Sequence, residues 1–261
     1  MLCAYCKAEL MRKNNILLSV FLLMVPTLTV AGEEPKNTID PSDVTRAYTQ
    51  AYIATSNKGD IKISGSLSYQ FDGGSAAMVS LEGTMDEHGD YKDSRGQYFH
   101  VFGTGSSFVP RIATSVDAID NNNFTTVALG AAGVINTPYD SFSLYFRGAG
   151  LAGEYKDDGS LAQKYKLTDT NITGVNGALW AVWKPFADGT YVSISPEYTK
   201  MDGSLEVETL KTSITAATPI TESGDKWLQF KFEDIDSQLA HRGVHESVDD
   251  SIFWSQFKMF F

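Results

Sequence analysis

Cysteine is almost missing from this chain: 261 residues hold two, Cys3 and Cys6. Their C-x-x-C spacing suits a metal or redox pair, but no second pair accompanies it, and a tetrahedral metal site needs more ligands. Both also precede Met11, the simplest start of translation, so the chain beyond it carries no disulfide. Long apolar runs are equally scarce. After residue 31 nothing approaches the roughly 20 continuous apolar residues that a membrane-spanning helix needs. Basic charge is short too, with 21 Lys and Arg against 32 Asp and Glu. Without residues 1–31, which hold Lys7, Arg12, Lys13 and Glu9, 18 basic side chains face 31 acidic ones. A surface so acidic excludes nucleic acid as a natural partner. Proline is sparse, and no Pro- or Gly/Ser-rich linker divides the chain, which points to one domain.

What is present begins with an export signal. Arg12 and Lys13 give a basic start, Ile16 to Val25 an almost unbroken apolar core, and Thr29-Val30-Ala31 a small-residue exit before Gly32. That pattern fits a cleaved secretory signal over residues 1–31. A short periplasmic tether over 32–43 and a single domain over 44–261 are expected to follow.

The body of the chain alternates with period two, the mark of strands with one apolar face. Ile61, Ile63, Leu67, Tyr69 and Phe71 share one side, with Lys62, Ser64, Ser66, Ser68 and Gln70 on the other. After the turn at Asp72-Gly73-Gly74, Val79, Leu81 and Met85 oppose Ser80, Glu82 and Thr84. A polar loop is read over 86–96. Further strands are read over 97–105, 111–119, 124–135, 141–154, 174–186, 190–201, 204–217, 226–234 and the C-terminal stretch. Counting the first two, that gives eleven. Single-chain bacterial barrels carry even strand numbers, so a further strand is sought over 45–55, leaving twelve, with ten as the alternative. Segment 40–52 also has a helical face through Val44, Ala47, Tyr48, Ala51 and Tyr52, and a helix there would sit in the lumen as a plug.

The last ten residues are the most specific element. Phe253, Phe257, Met259 and Phe261 fall on one face and the chain ends on the aromatic, with Gln256 and Lys258 opposite. This resembles the closing strand of a bacterial outer-membrane β-barrel, whose terminal aromatic pattern is an assembly signal for the barrel assembly machinery. The whole is similar to the twelve-stranded outer-membrane barrels, and among them to porin-like barrels and solitary, autotransporter-like ones without a passenger. The resemblance implies an all-β, single antiparallel transmembrane barrel in a Gram-negative outer membrane, in contact with lipid and lipopolysaccharide, with both termini periplasmic. The longest connections, 86–96, 155–173 and 235–251, then fall together on the outer side.

Opposite the apolar faces stand Glu82, Arg147, Lys184, Glu197, Lys231, Glu233 and Lys258, which are read as lining the lumen. Rings of such charge tune which small solutes or ions pass; alternatively they pair and fill a narrow barrel. The rival functions are a hydrolase or metal-binding barrel using histidines of the outer loops, and a translocator lacking its own passenger. His241, His245 and Glu246 are the candidate metal ligands, since a His-x3-His pair shares one face of a helical turn. His88, among Asp86, Glu87 and Asp90, is the other candidate, and these acids also suit calcium or magnesium bridging at the lipopolysaccharide surface. Tyr98, Phe99, Trp180, Trp183, Tyr191, Trp227 and Trp254 are read as interfacial girdles. No cofactor and no reaction is assigned; the leading expectation is a small passive channel or a structural surface barrel.

Overall fold

The computed structural model describes residues 39–261; the expected signal segment, Met11 and both cysteines lie outside the described residues. Twelve strands close into one antiparallel barrel. They are β1 (Gln50–Ser56), β2 (Ile61–Gln70), β3 (Ala76–Met85), β4 (Tyr91–Gly103), β5 (Arg111–Asn121), β6 (Phe124–Ile135), β7 (Phe142–Tyr155), β8 (Asn171–Trp183), β9 (Tyr191–Gly203), β10 (Glu206–Pro219), β11 (Lys226–His241) and β12 (Val244–Phe260). Each strand pairs with its sequence neighbours. β12 closes the ring on β1, from Gln50 opposite Phe260 to Ser56 opposite Trp254. Closure leaves no open edge within the ring, the condition for a sheet to cross lipid.

The outer surface carries the apolar residues. Ile53, Leu67, Val79, Leu81, Leu129, Val175, Leu179, Ile194, Leu210, Ile214, Phe230 and Phe253 are exposed. A soluble barrel would bury these side chains, whereas lipid accepts them. At the end where β1 begins and β12 finishes, the terminal end, the outward side carries Tyr69, Phe71, Tyr98, His100, Phe102 and Trp183. There His100 stacks between Phe71 and Phe102, with centroids 5.4 and 4.4 Å away. Of the expected girdle aromatics, only Tyr98 and Trp183 point outward. Phe99, Trp180, Tyr191, Trp227 and Trp254 point inward, on the alternate positions of their strands, and all but Trp180 are buried.

At the opposite, distal end the alternation reverses. Tyr155, Ile172, Met201, Val207 and Leu239 face in and are buried, while Glu154, Asp202, Glu206, Asp236 and Gln238 face out. Polar-out, apolar-in is the pattern of a β-surface in water, so the strands rise above the lipid belt there. This reversal corrects two expected loops. Residues 235–251 form paired strand, β11 and β12 meeting at a turn of Arg242 and Gly243, both at positive φ as a tight hairpin turn requires. The loop read over 86–96 shrinks to a turn at 86–90, with β4 starting at Tyr91. The long distal connection that remains, between β7 and β8, carries one short helix, α1 (Ser160–Tyr165).

The first strand is Gln50–Ser56; residues 45–49 are neither strand nor helix. The described part of the expected tether is wedged into the terminal end of the barrel. Ile39, Val44 and Tyr48 pack on Val134, Tyr145, Val182, Tyr191, Ala217, Trp227 and Phe260.

Candidate functional site

Inward positions of the strands build a charged lumen between two apolar ends. Pairing sets the rows: Tyr52, Ser64, Glu82, Arg95 and Ile119 lie opposite one another across β1 to β5, so their side chains share one level of the wall. All seven residues read as lumen-lining point inward. Glu82 meets Lys62 at 3.0 Å and accepts from the Tyr52 hydroxyl. Glu197 meets Lys211 at 2.8 Å and accepts from the Asn176 amide at 2.9 Å. Glu233 meets Lys231 at 2.7 Å and accepts from the Trp254 indole at 2.8 Å. Arg147 donates to Asp117 at 2.9 Å. Lys184 pairs with Asp40 of the N-terminal segment. Lys258 lies 5.6 Å from the centre of the Tyr52 ring and has no carboxylate at ion-pair distance among the described residues.

Sequence reasoning missed the most buried member. Asp117 is 1% exposed and is gripped by Arg95 through Nε and Nη2, by Arg147 and by Gln97. Arg95 sat in a stretch read as loop. Lys211 and Asp117 lie on strands whose polar face was not traced. The signal was there: an Asp or Lys on the polar side of a strand inside the lipid belt has only the lumen to face. Across the middle of the barrel the cations Lys62, Arg95, Arg147, Lys211, Lys231 and Lys258 outnumber the acids Glu82, Asp117, Glu197 and Glu233. Of these, Arg95, Arg147, Lys211, Lys231, Lys258, Asp117 and Glu197 line a cavity of about 820 Å3 that runs from Pro41, Ser42 and Val44 at the terminal end to Leu161 and Val248 at the distal end.

The terminal floor is held by charge as well as packing. Arg111 pairs with Asp43 and donates to the Thr45 hydroxyl at 3.1 Å. Thr45 returns its backbone N–H and hydroxyl to Asp43, at 2.9 and 2.6 Å, so the turn is locked on itself. Tyr48 meets Phe260 edge-on at 5.5 Å.

The distal end is capped by α1. Lys164 donates to both Glu246 oxygens at 2.7 Å and Tyr165 donates to the same carboxylate at 2.7 Å. Leu161, Tyr165 and Leu167 cover Tyr155, Ile172, Met201, Leu205, Val207 and Leu239. The hydrogen bond to Glu246 raises the pKa of Lys164, and the same carboxylate raises that of Tyr165.

The histidine readings are corrected by this geometry. His241 faces in and donates from Nδ1 to the Ser204 carbonyl at 2.6 Å. His245 lies past the turn on the next strand, opposite the outward Ala240, and Glu246 is committed to Lys164. A hairpin separates what a helical turn would have joined, and the three do not converge. His88 stands in an exposed turn with Glu87 at 3.5 Å. Among the described residues no group of three or more His, Cys, Asp or Glu is placed to hold a metal ion.

A closed twelve-strand ring with a charged, largely ion-paired interior is the observation against which known structures can be compared. The chain shares the fold of outer-membrane channel barrels. An outer membrane channel from Pseudomonas putida F1 superposes with a TM-score of 0.57 at 13% identity, covering 85% of this chain and 100% of that one. The NanC porin matches with a TM-score of 0.52 at 7% identity, covering 82% and 99%. The KdgM porin matches at 0.50 and 9% identity, covering 81% and 99%. No family model and no curated protein matches the sequence. At such identities the likeness is one of fold, and function rests on the site.

Proposed function

We propose that the protein is a small passive channel of a Gram-negative outer membrane that passes small polar solutes, preferring anions. The observation that carries this is the continuous cavity of about 820 Å3 with more fixed cations than carboxylates on its wall. A water-filled path flanked by fixed positive charge concentrates anions and repels cations. Fold likeness to the P. putida channel and the two porins supports the same reading. In this orientation the terminal end faces the periplasm and α1 the outside, where the acidic distal surface meets lipopolysaccharide. Phe253, Phe257, Met259 and Phe261, on the lipid side of the closing strand, serve as the segment the barrel assembly machinery engages.

The test is conductance of the refolded chain, residues 32–261, in a planar bilayer under a salt gradient. Discrete steps with an anion-selective reversal potential are expected, and Arg147→Glu or Lys231→Glu shifts that potential toward cation selectivity. A folded barrel without conductance, or a reversal potential indifferent to both substitutions, overturns the reading.

Close packing in the wall gives a second expectation. A Cβ on Gly174 would strike the Lys200 backbone carbonyl, and one on Gly153 the Thr125 carbonyl. Backbone cannot step aside as a side chain does. Gly174→Ala is expected to lower stability by about 1–3 kcal/mol, read as an earlier midpoint in urea unfolding from lipid vesicles.

A further inference from the structure

Lys258 sits on the β11–β12 wall among a second lysine, two glutamines and two indoles. On the β11–β12 ladder Trp227 lies opposite Lys258, Gln229 opposite Gln256, and Lys231 opposite Trp254, all on the inward side. The two lysines therefore stand diagonally on either side of a glutamine pair, with an indole at each remaining corner. Gln229 accepts the Tyr191 hydroxyl on its oxygen at 3.2 Å, which leaves its NH2 free. The Gln256 side-chain oxygen is buried and has no partner. Both indole N–H groups are occupied, Trp227 by the Gly224 carbonyl and Trp254 by Glu233. The tryptophans thus supply walls and no competing donors.

The carboxylates of the lumen cannot relieve Lys258. Glu82 is held by Lys62 and Tyr52, and Glu233 by Lys231 and Trp254. Moving either would strip an enclosed cation of its partner, at more cost than the new pair returns. A cation facing a lumen with only an aromatic ring beside it is incompletely compensated. An oxyanion supplies what is missing: charge for Lys258, and acceptors for two amides once Gln256 turns its NH2 inward.

We propose that Lys258, Gln256, Gln229 and Lys231 form a binding site for a single oxyanion, the carboxylate or phosphate group of a small solute, on the β11–β12 wall. The site rests on the channel reading only for how the solute arrives. In a channel it is a resting point that is populated and then released.

The experiment titrates inorganic phosphate, and in parallel acetate, into the refolded chain 32–261 in detergent, with chloride holding ionic strength constant. The readout is tryptophan fluorescence, because Trp227 and Trp254 border the site. Saturable change is expected, with binding weakened at least tenfold in Lys258→Gln, a loss of about 1.4 kcal/mol, and retained in Lys258→Arg. Gln229→Leu gives a second variant should Lys258→Gln not refold. Lys184→Gln, at the terminal floor, leaves binding unchanged. Saturation by phosphate alone assigns the site to phosphate groups, and saturation by acetate extends it to carboxylates. Absence of saturation by either anion, or equal affinity in the parent and Lys258→Gln, overturns the site. Saturable binding in a barrel that does not conduct would defeat the channel reading and leave this one standing.

Discussion

Replacing Asp40 and Asp43 together by Asn is expected to raise single-channel conductance severalfold and to strengthen anion selectivity. These two carboxylates hold the N-terminal segment in the terminal mouth, Asp40 on Lys184 and Asp43 on Arg111. They also neutralise the two cations of that mouth, so the segment acts on the wall as a tethered anion would. Asparagine keeps the size of each side chain and much of the Asp43–Thr45 turn, in which the side-chain oxygen accepts from the Thr45 N–H and hydroxyl. What it removes is the attraction across the mouth. Lys184 and Arg111 then become fixed cations facing solution, adding to the six of the middle lumen. The apolar contacts of Ile39, Val44 and Tyr48 remain, so the segment is loosened without being cut away. Deleting residues 39–46 removes the contacts of Ile39 and Val44 as well and is expected to give the largest conductance of the series. The check is the bilayer recording described above, with the unvaried chain and both variants under the same salt gradient. Equal conductance in all three would mean that the path does not pass this segment.

How much of this was legible in the sequence follows from where lipid is. Inside the belt, strands such as β2 and β3 alternate apolar-out and polar-in, and Ile61 to Gln70 reads correctly because every second residue must meet hydrocarbon. Above the belt the same strands continue with the opposite pattern. Asp234, Asp236 and Gln238 face water while Ile235, Ser237 and Leu239 face in. A reading tuned to oily exteriors takes such a stretch for loop, and that error carried His241, His245 and Glu246 to the wrong place. Parity found β1 but placed it early, because Val44, Ala47 and Tyr48 suit a wall strand or a plug helix alike and no local signal separates the two. The lumen charges were legible on traced faces, Glu82, Arg147, Glu197, Lys231, Glu233 and Lys258 among them. Who pairs with whom was not: Asp117 with Arg95 and Arg147 spans four strands, β4 to β7, and only the closed ring fixes that register.

That cluster carries the largest expected effect on stability. Asp117→Leu leaves Arg95 and Arg147 facing each other across a gap with no acid between them, and the Arg147 Nε already has no partner. Breaking an enclosed pair from one side costs about 3–5 kcal/mol, because the charge left behind is neither hydrated nor paired. Arg95 is more than a third exposed to the lumen, which brings the expectation to the lower end, about 3 kcal/mol. The loss is measured as a shift of the urea unfolding midpoint in lipid vesicles, or of the temperature at which gel mobility changes on heating. A triple variant, Asp117→Leu with Arg95→Met and Arg147→Met, separates charge from packing. If the loss in Asp117→Leu comes from stranded cations, removing them restores most of it, since apolar replacement of a whole buried ionic cluster is often neutral. If it comes from the shape of the wall, the triple variant is worse still. The same triple variant has two fewer cations in the lumen and one fewer acid, so a stable, refolded form is also expected to lose part of its anion selectivity, tying the stability of this wall to its chemistry.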